Sequence, residues 1–530
     1  MSTLTERLAT LSGTQLAGIR RGVEKESLRT RADGQLALTP HPAALGSALT
    51  HPHITTDFSE SQLELITGVH GDAQSCLDQL TRIHQFVYRT MKEKDERLWV
   101  SSMPCALPAD EAIPLGRYGS SNIGRSKSVY RMGLSHRYGR RMQTISGIHY
   151  NWSMPGLDTA AYFGLLRNLQ RHAFLLLVLF GASPAVCASF VRGLSHELLQ
   201  FNESTMYAPY GTSLRMGRLG YQSEAQSSVR VSYNDLESYV ASLQDALTRP
   251  WPAYEAIGIR NASGAYNQLS TSLLQIENEF YSLVRPKRVI LPGERQLHAL
   301  RARGVEYVEI RLMDLDPFEP VGISTQTMHL LDVFLLHCLL TDSPPDTPEE
   351  IAEIGHNRHL SAARGREPGL RLLRAGREVT LAQWGEEILA ECEPIAAMLD
   401  AHLERLGSQP SPSNRSSRAH TQPHAQALRA ARAAWAAPET LPSARVLRAL
   451  ADMPGHSFFN FGRAQSDAAM QHLLALPWSP EHQAFFERAT SDSIAEQARA
   501  EAADTMPFEA FRQIYVSPEC LHVQTACTAV

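Results

Sequence analysis

The chain has 530 residues, 43% apolar and 20% charged, with a formal net charge of −5 and a pI near 6.5. A chain of this size and composition buries a large core without covalent staples. The slight acidic balance excludes a dominant nucleic-acid footprint, which needs a basic excess.

Targeting and redox signals are sparse. The N-terminus, MSTLTERLATL, carries a glutamate and lacks an apolar stretch, so no signal peptide is read. The most apolar run, FLLLVLFGASP from Phe174 to Pro184, is too short for a membrane span and reads as a buried helix. Seven cysteines, at 76, 105, 187, 338, 392, 520 and 527, contain no CxxC pair. Their odd number and low density argue against a disulfide framework or a structural zinc site and fit a reducing, cytoplasmic setting. Cys187, in the apolar GASPAVCAS, reads as a buried inert thiol. Cys520 and Cys527 lie in an unpatterned tail (513–530).

In chain order, residues 18–69 read as short strands, QLALTP and QLELITGV among them, separated by turns. Leu77, Leu80, Ile83, Phe86 and Val87 recur at helical spacing within 73–96. MQTISGIHYNWSMP, 142–155, reads as a strand and 158–181 as a helix. An amphipathic helix follows an N-cap at Asn234 or Asp235. VEYVEIRLMDLDPF, 305–318, reads as a strand, followed by an apolar helix entered at Ser324 or Thr325. The part from 345 to 512 is mainly helical, and the Ser-, Pro-, Asn- and His-rich stretch 407–426 reads as a mobile loop.

Strand parity isolates a chemical constellation. Residues two apart share a strand face. This groups Glu24 with Glu26, opposite Lys25. It groups His149, Asn151 and Ser153, and likewise Tyr307, Glu309 and Arg311. Ile148, Tyr150, Trp152, Val308 and Ile310 then face an apolar layer. Asp57 and Glu64 bring the inventory to five carboxylates and one histidine from four segments. Clustered carboxylates repel unless cations or arginines offset them. Hard Mg²⁺ takes such oxygen ligands and bridges them to phosphates, and Arg311 is placed to clamp a phosphoryl group. On pattern alone, simpler readings fit as well or better: a solvated E-x-E face, a hydrogen-bonded strand histidine, a Glu309–Arg311 ion pair, a turn aspartate at 57. GSSNIGRS, 119–126, fails as a phosphate loop, because Arg125 stands where lysine is required and no strand precedes it.

Seven blocks in order resemble the bacterial glutamate–cysteine ligase family: GIRRGVEKESLR, LGSALTHPHITTDFSESQLELIT, YGSSNIGRSKSVYRMGL, MQTISGIHYNWSMP, LFGASPAVCASF, LLQIENEFYSLVRPKR and GVEYVEIRLMDLDPFEPVGI. The resemblance thins beyond residue 340 and is absent after 512. It implies an α+β fold like that of glutamine synthetase, a curved and mainly antiparallel sheet with surrounding helices, in one catalytic domain over 1–512. It implies ATP-dependent joining of L-glutamate to L-cysteine through γ-glutamyl phosphate, the first step of glutathione synthesis, with Mg²⁺ or Mn²⁺ as cofactor. Glutathione is an expected feedback inhibitor, and neither nucleic acid nor membrane is an expected partner. By motif position, Glu24, Glu26, Asp57, Glu64, His149 and Glu309 would ligate metal. Glu26, Asp57 and Glu64 would hold the metal near glutamate, and Glu24, His149 and Glu309 the one near the ATP phosphates. Arg311 would be catalytic, Tyr130 and Tyr221 would surround the cysteine side chain, and Arg131 and Arg215 would bind substrate carboxylates. Gln275, Asn278 and Glu279 would line the site. The main alternative is a related ATP-dependent carboxylate–amine ligase with another amino acceptor. A two-metal hydrolase and a non-catalytic metal-binding protein are the others.

Overall fold

The computed structural model describes residues 4–219, 224–291, 293–407 and 422–518. Its strands there are β1 (Arg20–Arg31), β2 (Ile54–Thr56), β3 (Gln62–Ile66), β4 (Glu96–Leu98), β5 (Ile148–Ser153), β6 (Ala185–Cys187), β7 (Leu199–Asn202), β8 (Thr205–Tyr207), β9 (Val284–Lys287), β10 (Tyr307–Met313), β11 (Arg371–Arg374) and β12 (Arg377–Thr380). One sheet runs β2-β3-β1-β5-β10-β9, with β4 on the distal half of β1. Its strand pairs are all antiparallel. β6, β8 and β7 form a small second sheet, and β11 and β12 a hairpin.

The parity expected from the sequence holds. Val23, Ile148, Tyr150, Trp152, Val308 and Ile310 are each at most 1% exposed. The helices Ala73–Met91, Thr159–Phe180 and Thr325–Leu340 cover this apolar face. Their starts follow from capping: Asp72, Asp158 and Ser324 each accept a backbone N–H of the first turn. Asp235 does the same for Leu236–Thr248. Lys25, opposite the two glutamates, is therefore in the core. Its Nζ lies 2.9 Å from His84 Nε2, and burial pulls the amine down to about 7.

The remaining helices fold back over the first half of the chain. Gln85 Nε2 donates to the Leu473 carbonyl (3.1 Å), and Glu501 accepts from the Ser120 backbone N–H (2.8 Å). No helix among the described residues is long and apolar enough to cross a membrane.

Four expectations need correction. QLALTP contributes only an isolated bridge, Thr30 to Leu36, with the Ala37 N–H donating to the Arg29 carbonyl (2.9 Å); Pro40 and Pro42 follow and have no N–H to extend a ladder. Residues 142–144 form a 3-10 turn, and the strand begins at Ile148. Pro423 opens a helix, Pro423–Ala436, so the polar stretch 407–426 is not all loop; 408–421 lie outside the described residues. Cys105 and Cys187 form a disulfide with Cα atoms 5.5 Å apart, so Cys187 is not a free thiol. Their separation of 82 residues hides that pairing from any spacing rule. The tail calls at Cys520 and Cys527 fall outside the described residues.

Candidate active site

The polar face of the central strands carries the constellation. The register sets Glu24 opposite His149, Glu26 opposite Glu64, and Glu309 opposite Asn151. A bulge after Ile310 adds a residue to β10 beside Arg311.

His149 stands between the carboxylates. Its Nδ1 lies 3.1 Å from Glu24 and 3.8 Å from Glu309, and its Nε2 lies 3.7 Å from Glu26. Asn151 Nδ2 donates to Glu24 (2.8 Å), and the Gly147 backbone N–H donates to Glu26 (2.8 Å). Arg311 approaches Glu309 at 3.2 Å, and Lys287 approaches it at 3.6 Å.

Electrostatics divide the face into two ends. At the Glu309 end, burial opposes charge, but Lys287, Arg311 and His149 hold that carboxyl well below the usual range. Burial also opposes charge at Glu24, where the His149 hydrogen bond keeps the carboxyl low. Burial and the Arg311 charge push the imidazole of His149 down, leaving it neutral. At the other end, burial and the Asp57 charge push Glu26 up to about 8. Burial and the charges of Glu24, Asp57 and Glu26 push Glu64 well above its ordinary value. Arg215 and Arg311 act on Glu26 and Arg131 on Glu64, but these charges do not overcome burial and the neighbouring carboxylates.

The donor set fits a hard divalent cation. Glu24, His149 and Glu309 offer ligand atoms all within 4.8 Å of one another. Glu309 is 2% exposed, so its carboxylate is shielded from water and open to Arg311, Lys287 and the other ligand atoms. A neutral imidazole with carboxylates suits Mg²⁺ or Mn²⁺.

The other expected residues divide. Tyr130 and Arg131 lie on the helix Asn122–Tyr138, which Ser121 caps. Arg131 stacks 4.4 Å from the Tyr118 ring centroid and donates to the Asp57 carbonyl, fixing that loop. Arg215 is 2% exposed; it donates to the Arg311 carbonyl (2.8 Å) and lies 4.0 Å from Asp314. Tyr221 is outside the described residues. Gln275 and Glu279 do not line the face. Glu279 is fully buried against Arg137 (2.8 Å) and Tyr138 (2.7 Å), and Gln275 bonds the Leu269 N–H (2.9 Å). Asn278 is exposed, and its carbonyl accepts from Arg285 (2.8 Å). Sequence reasoning missed Lys287, a lysine two residues from the strand partner of Glu309. Pairing of VRPKR with β10 was its only signal.

A carboxylate-and-histidine sheet face flanked by an arginine and a lysine defines the class: a mixed α/β protein whose polar sheet face has the donor chemistry to hold a cation and an anionic group. Residues 6–360 match the family model for glutamate–cysteine ligase. The glutamate–cysteine ligase of Alcanivorax borkumensis is 45% identical over 94% of this chain and 96% of its own. That of Pseudomonas aeruginosa PAO1 is 45% identical over 97% of each chain. Among solved structures, a Francisella tularensis glutamate–cysteine ligase in complex with AMP superimposes with a TM-score of 0.86, at 33% identity over 94% of this chain and 97% of that one. A bifunctional glutathione synthetase from Pasteurella multocida gives 0.68, at 25% identity over 92% of this chain and 57% of that one. The chain belongs to the glutamate–cysteine ligase family.

Proposed function

We propose that this chain joins the γ-carboxylate of L-glutamate to the amine of L-cysteine using ATP. The glutamate carboxylate attacks the γ-phosphorus and ADP leaves. The cysteine amine then attacks the acyl phosphate carbon, the C–O bond breaks, and γ-glutamylcysteine and phosphate separate. One observation carries the reading within this family: Glu24, His149, Glu309 and Arg311 converge on one sheet face.

Glu24, His149 and Glu309 would hold a cation near the ATP phosphates, and Glu26, Asp57 and Glu64 one near glutamate. Bound there, Mg²⁺ would offset the charge of two anions that otherwise repel. Arg311 stabilises the charge on the transferring phosphoryl oxygens, and Lys287 keeps Glu309 ionised beside it. Arg131 holds the Asp57 loop, and with Arg215 it supplies positive charge for substrate carboxylates. Tyr130, with Tyr221, would wall the thiol substrate.

The reading extends to a glutamine-synthetase-like fold, one catalytic unit over 1–512, a cytoplasmic setting and feedback inhibition by glutathione. The helices after residue 360 bond back to the sheet half, which supports one unit. The test is ADP release from ATP and glutamate, with and without cysteine and Mg²⁺. Cysteine- and Mg²⁺-dependent release is expected. Turnover without ATP would indicate a hydrolase, and a preference for alanine or ammonia over cysteine would indicate another acceptor.

A further inference from the structure

On the far side of the sheet, the helix Thr159–Phe180 packs on Thr325–Leu340, and Leu381–Glu391 reaches them through Trp384, against His172 and Phe174, and Glu391, at His337. His172 from the first helix and His337 and Cys338 from the second place one ligand atom each within 4.8 Å of the others. We propose that His172, His337 and Cys338 form a second metal site, selective for a thiophilic cation such as Zn²⁺ and separate from the catalytic face.

Three observations carry this. The first is orientation: His337 Nε2 lies 2.7 Å from the Glu391 carboxylate, which takes that proton and leaves Nδ1 as the lone-pair nitrogen. A carboxylate-anchored histidine is the usual outer support of a zinc ligand. The second is unmet valence: His337 Nδ1 and His172 Nδ1 are both buried with no hydrogen-bond partner. A buried nitrogen without a partner is unfavourable unless something fills it. The third is access: a cavity of about 340 Å³, lined by His172, His337, Glu391, Arg374 and Trp384, leads to the cluster.

The donors select the cation. Two imidazoles and a thiolate suit zinc and disfavour Mg²⁺. Tetrahedral bonds of about 2.0–2.3 Å put ligand atoms roughly 3.5 Å apart, so the site closes by about an ångström on binding. A second group, His329, Asp332 and His424, has similar spacing. There Asp332 already accepts from Arg21 (2.8 Å) and Trp152 (3.1 Å), so its oxygens are taken.

The test titrates the full-length protein, purified with chelator, with Co²⁺ and Zn²⁺ in excess Mg²⁺. One equivalent of Co²⁺ should give a thiolate-to-cobalt charge-transfer band that Zn²⁺ abolishes, with quenching of Trp384, whose ring lies 6.2 Å from that of His172. Cys338→Ser should lose the band. Glu391→Gln, a half-exposed positioning change, should keep the fold and weaken Zn²⁺ about 10–100-fold. No band in the wild type, or a band that persists in Cys338→Ser, overturns the proposal. So does unchanged affinity in Glu391→Gln. If Cys338→Ser does not fold, X-ray absorption of the zinc-loaded wild type decides: one sulfur with nitrogen neighbours supports the site, and oxygen alone overturns it. Loss of ligase activity is not a readout here, so failure of the proposed reaction leaves this test intact.

Discussion

Glu26 on β1 and Glu64 on β3 face each other as direct partners across an antiparallel pair. Like charges in that position destabilise a sheet, and among the described residues the hydrogen bond to the Glu26 carboxylate comes from the backbone N–H of Gly147. The pair is tolerable with a proton retained between the two groups or with a cation held there. Glu26→Gln is therefore expected to lower turnover at least about a hundredfold, on the scale of several kcal/mol of lost metal assistance. The far-UV circular dichroism should be unchanged. Near-normal turnover would sink the ligand assignment.

Divalent cation binding should release protons, and more at pH 7 than at pH 9. Glu26 in the metal-free site sits at about 8, raised by burial and Asp57. It is protonated below that value and must lose its proton to ligate. Apparent Mg²⁺ affinity should therefore rise through pH 8 and level off above it. Calorimetry in two buffers of different ionisation enthalpy measures the release, and a pH-independent affinity would contradict it.

Arg311 is the guanidinium on the Glu309 end of the face. Removing one preorganised donor to transition-state charge costs about 2.7–4 kcal/mol. Arg311→Gln should lower kcat by about 10²–10³ with little change in the KM for cysteine. Arg311→Lys should recover only part of it, because an ammonium lacks the planar fork. A kcat within twofold of wild type in Arg311→Gln would remove it from the mechanism.

The Arg137–Glu279 pair, both side chains fully buried, supports the helix that carries Tyr130 and Arg131. Glu279→Ala leaves the guanidinium buried without its carboxylate, a loss of about 3–5 kcal/mol. Urea denaturation reads it as a lowered midpoint. A shift under 1 kcal/mol would mean the remaining bonds of Arg137 to Gln268 and Ser270 suffice.

Acid should destabilise the fold through His51. Its Nδ1 accepts the backbone N–H groups of His53 (3.1 Å) and Ile54 (3.0 Å). Burial, then His53, depresses it from 6.5 to about 4. A depressed histidine favours folding fully above its unfolded value, and that contribution fades as pH falls from about 6.5 to about 4. His51→Asn keeps the acceptor without the titration and should flatten the urea-midpoint slope across that window. An unchanged slope would exclude His51 as its source.

Much of the site was legible in the sequence because a strand has a period of two. Parity alone put Glu24 with Glu26 and Glu309 with Arg311, and two helix starts were narrowed to Asn234 or Asp235 and to Ser324 or Thr325, of which Asp235 and Ser324 are the caps. Parity says nothing of what a lone side chain meets. Lys25 was correctly set opposite the glutamates, yet its burial against His84 depends on the helix Ala73–Met91 packing there. Glu279 sits in a block shared with the site but serves Arg137 behind it.

The sequence by itself determined the family, the strand faces and the carboxylate inventory, since these follow from local periodicity and from ordered blocks of residues. Only the tertiary structure decided partnership. The placement of Lys287 at Glu309, the Cys105–Cys187 disulfide, and the meeting of His172 with His337 and Cys338 each join residues far apart in the chain. Such contacts arise from packing of whole helices and sheets, where burial removes water and makes each remaining polar neighbour decisive. No spacing rule encodes them.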